Sequence, residues 1–300
     1  MLNHKKSPGA VAADVVIYFL LGLFALICLY PFWYLVIYTF SEPSEALRGV
    51  TFWFRGFSLY NVEQVLRLKG IGQALINSVL RTILGTGITV FSCTFLGYLF
   101  TKEEMPARRF FYRALIITMY VSGGLIPTYL IYRMYGLTNS FLVYVLPTAV
   151  SAYSMILVKT FIEQLPASLE EAAMIDGASY LRVFFRVIFP LSVPIVATIA
   201  IFAAVGQWNS WFDNHIYNTN APHLMTLQYQ LYKFLNESQR LAELLKQGNI
   251  KDVEAAITQQ LTPKGVRVTT TLFAAVPIFL VYPFMQRYFI KGIMIGAVKG

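Results

Sequence analysis

The sequence predicts an all-α membrane protein, a polytopic bundle of six transmembrane helices. Hydrophobic residues make up 57% of its 300 residues and charged residues only 13%. Soluble domains carry roughly a quarter charged residues, so this deficit is too large for a buried core alone. Apolar runs also recur six times, each near the length of about 20 residues that a helix needs to cross a bilayer.

The six predicted spans are Val15–Ser41, Thr82–Thr101, Ala114–Tyr132, Met134–Val158, Val187–Phe212 and Val268–Gln286. A helix satisfies its own backbone hydrogen bonds, as lipid requires. We expect the second helix to begin near Gln73, which places Arg81 in its outer part. Arg133 is expected between the third and fourth helices, where Gly136 and Asn139 predict a short turn.

Prolines punctuate the predicted spans at Pro31, Pro127, Pro147, Pro194, Pro277 and Pro283. Two interpretations are open: kinks that let a pathway open and close, or kinks in an inert bundle whose neighbouring helices satisfy the freed carbonyls. Cys28 and Cys93 lie inside apolar runs, so we interpret both as small hydrophobic residues rather than as disulfide partners or metal ligands.

The formal net charge is +9, yet no dense Lys/Arg cluster occurs, so a nucleic-acid partner is not predicted. The basic residues fit either a cytoplasmic surface facing anionic lipid or ordinary solvated loops. With both termini inside, Lys and Arg divide evenly between the two sides. Arg108, Arg109 and Arg113 favour that orientation, but charge alone does not decide it.

The segment between the fourth and fifth predicted spans, residues 163–191, is long for a simple turn. Ser168 and Glu171 have the spacing of a capping box, in which the serine caps a helix and the glutamate reaches back to the cap. Gly177 can take the left-handed conformation that ends a helix. A second amphipathic helix is expected from near Ala178 into the fifth span. One interpretation is a helix lying on the lipid surface.

This segment resembles the EAA signature of the permease subunits of bacterial ABC importers. The resemblance rests on Glu171-Ala172-Ala173, on Gly177 and on Ile188 with Pro190-Leu191. The longer form LEEAAxxDGA is similar to the carbohydrate-uptake branch, typified by maltose-type permeases. Two further stretches are similar to that family and extend the resemblance over essentially the whole chain: Gly206-Gln207-Trp208-Asn209 and Gln286–Gly300.

The resemblance implies a type I ABC importer permease fold, with residues 1–300 as a single transmembrane domain. It implies that residues 163–191 are cytoplasmic and dock, as a coupling helix, in a cleft of an ATPase subunit. The implied coupling residues are Glu170, Glu171, Ala172, Ala173, Asp176, Gly177 and Ala178. The tail implied to reach between the ATPase subunits comprises Gly296, Ala297, Val298, Lys299 and Gly300.

The implied partners are a second homologous permease subunit, two ATPase subunits, an extracytoplasmic solute-binding protein and membrane lipid. The sequence contains no G-x-x-x-x-G-K-[ST] phosphate loop, so ATP and Mg are expected on the partner ATPase. We expect this chain to bind no cofactor, to hold no metal at its histidines and to catalyse no reaction. The expected location is the cell (inner, cytoplasmic) membrane, multi-pass, with both termini cytoplasmic.

Residues 214–267 form a long extracytoplasmic segment in this topology. Leucines and Phe234 recur at helical spacing from Leu227 to Leu245, and a second short helix is expected over Lys251–Leu261. This helical module is either a docking surface for the binding protein or a cap on the subunit's own outer mouth. Its size resembles permeases for large or acidic plant- and algal-type oligosaccharides.

Candidate pathway residues cluster near the outer end of the fifth span. Amides, a carboxylate and aromatic faces suit sugars, whose rings are apolar on one face and rich in hydroxyls at the edge. The candidates are Gln207, Trp208, Asn209, Trp211 and Asp213, with Tyr153 and Ser154 of the fourth span as poorer ones. An interfacial aromatic belt is the structural alternative. The predicted function is the import of oligosaccharides by alternating access.

Two other functions make different demands on the sequence. A secondary transporter driven by an ion gradient would need internal repeats and carboxylates at mid-membrane, and no carboxylate lies within the six runs. A membrane enzyme acting on lipid-linked sugars would need paired acids or a metal cluster. Asp213 alone does not supply either.

Overall fold

A computed structural model describes residues 8–46, 48–49, 52–246 and 264–297. Within these ranges the chain is helical, apart from turns and one isolated antiparallel bridge between Ser41 and Phe57. The helices are α1 (Pro8–Thr39), α2 (Pro43–Ala46), α3 (Tyr60–Arg67), α4 (Ile71–Leu99), α5 (Arg108–Ile117), α6 (Leu125–Met134), α7 (Leu142–Val145), α8 (Ala152–Ile162), α9 (Ser168–Ile175), α10 (Tyr180–Val183), α11 (Phe189–Leu191), α12 (Val193–Asn209), α13 (Phe212–Tyr217), α14 (Leu227–Lys246) and α15 (Lys264–Ala297). A π-helical turn, Phe184–Ile188, joins α10 to α11, and a 3-10 turn, Pro222–Leu224, precedes α14.

Three of these helices are long and apolar enough to cross a membrane, namely α1, α4 and α15. They match the first, second and sixth predicted spans, and α4 begins at Ile71, two residues before the expected start. Pro31 in α1 and Pro277 and Pro283 in α15 lie inside uninterrupted helices. The all-helical membrane class is therefore confirmed.

The fifth predicted span is a bent pair of helical pieces rather than one straight helix. The axis turns by 81° between Tyr180–Leu191 and Val193–Asn209. Ser192 lies at the bend, and Pro194 follows it in the first turn of α12. Because proline lacks the N–H that would continue the hydrogen-bond ladder, this position accommodates a sharp change of direction. The straight part ends at Asn209, before the predicted end at Phe212.

The third and fourth predicted spans are not continuous helices, so this part of the prediction is wrong. The run Ala114–Tyr132 breaks between α5 and α6, where Gly124 has φ of +79°. The run Met134–Val158 breaks into α7 and α8, and the Ser151 side chain caps the start of α8. Serine and glycine break these helices although they interrupt the apolar run little. The turn at Gly136 and Asn139 is confirmed by their positive φ values.

The described residues divide into two compact units, and those within 69–233 and 276–300 form the larger one. In this unit α4 packs against α12 and α8. Its core joins Cys93 and Tyr98 of α4 to Val158 of α8 and Phe184 of the π-helical turn. The buried Cys93 belongs to this core, as expected for a small hydrophobic residue. The helices approach closely at Gly97, where a Cβ atom would lie 2.8 Å from Cγ1 of Val158.

The smaller unit contains the described residues within 1–68 and 234–275. Its core consists of Ile37, Tyr38 and Ala46, with Val268 of α15 packed against them. The buried Asn61 donates through Nδ2 to the carbonyl oxygens at the end of α1, at 3.3 Å for Thr39. A polar side chain thereby satisfies carbonyls that the end of a helix leaves without partners.

Candidate functional site

The segment 163–191 begins with a short helix, α9, whose end is well defined. Gly177 has φ of +80°, as the sequence predicts. Its N–H donates to the carbonyl of Met174, and the N–H of Ala178 donates to the carbonyl of Ala173. This pair of hydrogen bonds is the Schellman motif, which closes a helix through a left-handed residue. We call α9 together with this closing turn, residues 168–178, the EAA knob.

The predicted capping box at the start of α9 is wrong. Ser168 is the first helical residue, and Ala167, whose side chain cannot cap, occupies the N-cap position. The turn after Pro166 already aligns the backbone, because the N–H groups of Leu169 and Glu170 bond to the carbonyls of Pro166 and Ala167. The helix therefore starts one residue earlier than the capping pattern suggests. The Glu171 side chain stays exposed.

Glu170, the other glutamate of this turn, points toward α4. One carboxylate oxygen accepts a hydrogen bond of 2.9 Å from the Tyr98 hydroxyl, and the other pairs with the Lys102 ammonium. The side chains of Lys102 and Glu170 are only 15% and 18% exposed. The carboxylate thus joins the knob to the end of α4.

The remaining coupling candidates lie in α9 and in the turn that follows it, and they divide between a packed side and an exposed side. Ala173 and Ala178 pack against the core of the larger unit. Ala172, Asp176 and Gly177 are exposed. Ile175, which was not among the candidates, is 85% exposed although it is apolar. Glu171, Ala172, Ile175 and Asp176 therefore form one exposed face, since residues three or four apart share a side of a helix.

A cavity of about 490 Å³ opens between α4, α8 and α12. Hydroxyls of threonine, serine and tyrosine, an exposed phenylalanine ring and one ion pair line it. The lining residues are Arg81, Thr89, Thr148, Ser151, Tyr153, Ser154, Phe202, Ala203, Gly206, Gln207, Ser210 and Asp213.

Arg81 lines this cavity and is only 1% exposed. Its guanidinium pairs with both Asp213 carboxylate oxygens, at 3.1 and 2.5 Å. Its other contacts go to Oε1 of Gln207 at 3.1 Å, through Nε and Nη2, and to the Ser210 carbonyl at 3.3 Å. An arginine has five N–H donors, and these contacts engage all five. The Tyr144 ring lies 4.4 Å below the guanidinium.

Gln207 continues the same network toward α7. Its Nε2 group donates to the Tyr144 carbonyl at 3.1 Å and to the Thr148 hydroxyl at 2.7 Å. Gly85 leaves the space for this amide, because a Cβ atom at Gly85 would overlap the Gln207 side chain. The network therefore holds α4, α7 and the α12–α13 junction in one arrangement.

The cavity collects three of the six predicted pathway residues, Gln207, Asp213 and Tyr153. The other three lie elsewhere. Trp208 is buried and lines a separate groove with Pro277 and Ile278. Asn209 accepts a hydrogen bond of 3.1 Å from Gln228. Trp211 stacks on Tyr232, with ring centroids 3.9 Å apart.

Trp211 belongs to an aromatic cluster with His215, Tyr229 and Tyr232. Burial raises the pKa of the Tyr229 phenol, and the neighbouring Tyr232 raises it further. The phenol therefore keeps its proton at neutral pH. No group of three or more potential metal ligands occurs in the ranges that the structure covers.

Arg81, Thr148 and Ser151 also line the cavity although they were not among the candidate pathway residues, and Ser154, a weaker candidate, lines it too. One signal was available, because a charged residue within an apolar span usually faces a partner or a cavity. Arg81 meets that description, and Asp213 is the acid that follows the fifth span. The sequence does not say that they meet.

Two further candidate regions are only partly described. Gly296 and Ala297 of the predicted tail belong to α15. Val298, Lys299 and Gly300 lie outside the described residues. In the segment 214–267, α14 confirms the expected amphipathic helix. The second helix, predicted over Lys251–Leu261, falls outside the described residues.

Comparisons with known proteins agree on one class. No protein-family model matches the chain. It is 32% identical over 288 residues to the polygalacturonan/rhamnogalacturonan transport system permease protein YtcP of Bacillus subtilis, covering 96% of this chain and 98% of YtcP. It is 33% identical to protein LplC of the same organism, covering 99% and 98%. A solved bacterial ABC transporter involved in the import of the acidic polysaccharide alginate contains a chain with a TM-score of 0.81 and 27% identity, covering 95% of this chain and 99% of that one.

Proposed function

This chain belongs to the permease proteins of sugar ABC transport systems, and from that premise we propose that it is one of two homologous membrane subunits of a binding-protein-dependent oligosaccharide importer. The observation that carries the proposal is the EAA knob: α9 is closed at Gly177, fixed to α4 and exposed along one face. The chain is a membrane protein. The proposed orientation in the cell membrane has the knob and both termini in the cytoplasm.

In this proposal the chain itself hydrolyses nothing. ATP and Mg bind to two separate ATPase subunits, and the sequence of this chain contains no phosphate loop. The exposed face of Glu171, Ile175 and Asp176 docks into an ATPase cleft. An exposed apolar side chain flanked by carboxylates suits a socket with an apolar floor and a basic rim. The C-terminal tail, Gly296–Gly300, makes a second contact with the ATPase subunits.

The cavity beside Arg81 is the proposed sugar passage of this subunit. Hydroxyls of Thr148, Ser151 and Ser154 exchange hydrogen bonds with sugar hydroxyls, and Tyr153 and Phe202 offer exposed ring faces. Arg81 does not serve as a free cation here, because Asp213 neutralises it and its donors are engaged. In this proposal the ATPase subunits close when they bind ATP and open again after hydrolysis. This cycle exposes the cavity to one side of the membrane and then to the other.

The proposed cargo is an oligosaccharide derived from a polysaccharide, and acidic polysaccharides are among the proposed sources. This proposal rests on the names of the relatives, one for polygalacturonan and rhamnogalacturonan transport and one for alginate import. The segment 214–267 is the proposed docking surface for the binding protein outside the cell. Family membership favours ATP over an ion gradient as the energy source.

Purification of the tagged chain from its native membrane tests the proposal. We expect a second permease and a P-loop ATPase to copurify. Proteoliposomes of that complex should hydrolyse ATP faster when a loaded binding protein is added. A chain that purifies alone and accumulates sugar under an ion gradient without ATP would contradict the proposal.

A bulky side chain placed in the cavity tests whether sugar passes through it. Gly206 lines the cavity, and a Cβ atom there has no heavy atom within 4 Å, so Gly206→Phe adds a ring to open space. We expect oligosaccharide uptake to fall at least ten-fold while the complex still assembles. The matched control is Gly87→Phe, at an α4 position that is equally open but does not line the cavity. Equal uptake by both variants would remove the cavity from the pathway.

Substitution at Gly177 tests whether the EAA knob docks on an ATPase subunit. Gly177→Asp forces a side chain into a left-handed position, at a cost of roughly 1–2 kcal/mol, and adds a charge beside the docking face. We expect the ATPase to be lost on purification without unfolding of the membrane helices. Gly136→Asp is the control, since Gly136 also has a positive φ and open surroundings but lies in another turn. Unchanged transport and assembly in Gly177→Asp would count against docking.

A further inference from the structure

The two adjacent glutamates of α9 differ in what they face. Glu171 is exposed, whereas the Glu170 carboxylate is 18% exposed and uses both oxygens on residues at the end of α4. The Glu170 carboxylate accepts a hydrogen bond of 2.9 Å from the Tyr98 hydroxyl and forms an ion pair with the Lys102 ammonium. A partly buried, two-point attachment of this kind is worth more than an exposed ion pair.

The residues that hold Glu170 are themselves packed in the larger unit. Tyr98 is fully buried, with its ring centroid 5.4 Å from that of Phe184. The Lys102 ammonium lies 4.5 Å above the Tyr98 ring. Because the lysine, the tyrosine and the carboxylate hold one another, Glu170 cannot move without displacing the end of α4.

The helix α4 leads from this attachment to the cavity. Tyr98 lies 17 positions after Arg81 in α4, which is about 25 Å along a helix at ~1.5 Å per residue. Thr89 lies between them and donates to the Thr148 carbonyl at 2.8 Å. One continuous helix therefore carries both the attachment of the knob and one wall of the cavity.

The covalent route from α9 to the cavity is less direct. It passes the left-handed Gly177, the π-helical turn and the 81° bend at Ser192 before α12 begins. Each of these joints can absorb a displacement, whereas an uninterrupted helix transmits it along its axis. A displacement of the knob thus reaches the cavity more faithfully through α4 than along the chain.

We propose that Glu170 is a positioning residue. Through Lys102 and Tyr98 it transmits a displacement of the EAA knob to α4, and α4 carries that displacement to the cavity. This inference rests on the proposed function, because the displacement comes from a partner ATPase. It assigns separate tasks to the two glutamates: Glu171 faces the partner, and Glu170 faces the subunit's own helix.

The test uses the complete transporter in proteoliposomes with Glu170→Gln and, as the matched control, Glu171→Gln on the same helical turn. Glu170→Gln removes the ion pair but leaves an acceptor for Tyr98. We expect its transported sugar per ATP hydrolysed to fall at least five-fold, with unchanged copurification of the ATPase. Glu171→Gln should instead weaken copurification of the ATPase, which separates a docking contact from the internal contact of Glu170.

Charge exchange separates positioning from mere stability. Lys102→Glu alone should lower the ratio as Glu170→Gln does, and the double variant Lys102→Glu/Glu170→Lys should restore at least half of it. A wild-type ratio in Glu170→Gln, or no recovery in the double variant, would overturn the proposed positioning role of Glu170. A wild-type complex that contains no ATPase would instead overturn the proposed function itself, so the two failures are distinguishable.

Discussion

Arg81→Met will lower the free energy of unfolding of the membrane subunit by about 3–5 kcal/mol, because it leaves a carboxylate without its counter-ion. Asp213 is only 19% exposed and directs both oxygens at Arg81. The amide oxygen of Gln207 loses its donors at the same time. Thermal or denaturant unfolding of the purified complex in detergent measures the effect.

A second substitution distinguishes a lost charge partner from a lost side chain. Arg81→Met with Asp213→Leu removes both charges, so the double variant should be more stable than Arg81→Met alone. Arg67→Met is the surface control, because Arg67 is 73% exposed and pairs with Glu63 one helical turn away. An exposed pair contributes about 0.2–1 kcal/mol. Similar losses in Arg81→Met and Arg67→Met would show that the buried pair does not form.

Gly97→Leu is expected to destabilise the larger unit by about 3 kcal/mol or more, through overpacking. A Cβ atom at Gly97 would lie 2.8 Å from Cγ1 of Val158 and 3.2 Å from the backbone nitrogen of Lys159. The second contact is with backbone, so α4 and α8 must separate to relieve it. The melting temperature of the purified complex and its yield from membranes measure the loss.

The matched control for Gly97→Leu is Gly87→Leu in the same helix. No heavy atom lies within 4 Å of a Cβ at Gly87, and leucine has a higher helix propensity than glycine. The control should therefore match or slightly exceed the wild type in stability. If both leucine variants melt like the wild type, α4 and α8 are not in contact at Gly97.

The two predicted spans that turned out broken show where apolar periodicity stops being informative. Serine and glycine at Ser122-Gly123-Gly124 interrupt the apolar run very little, and the structure has no helix there. Hydropathy records the preference of a segment for lipid, whereas continuity of the helix depends on backbone conformation. The bend at Ser192 escapes hydropathy for the same reason.

The site was predictable in its local parts only. The left-handed end of α9 at Gly177 follows from residues that are neighbours in sequence, and the EAA pattern identified the family that the relatives confirm. The start of α9 was misjudged, because a capping pattern competes with whatever turn precedes it. Among the predicted pathway residues, the three in the cavity and the three outside it each include an amide and an aromatic side chain, so residue type alone does not separate them.

The sequence by itself determined that this chain lies in lipid, that it is helical, and that it carries a family signature ending in a glycine turn. Only the tertiary structure decided that Arg81 meets Asp213, 132 residues away, and that Glu170 rather than Glu171 meets Lys102, 68 residues away. Hydropathy and helix signals arise within a few residues of each other. The partner of a buried side chain depends on the rotation and register of packed helices, which no local pattern contains.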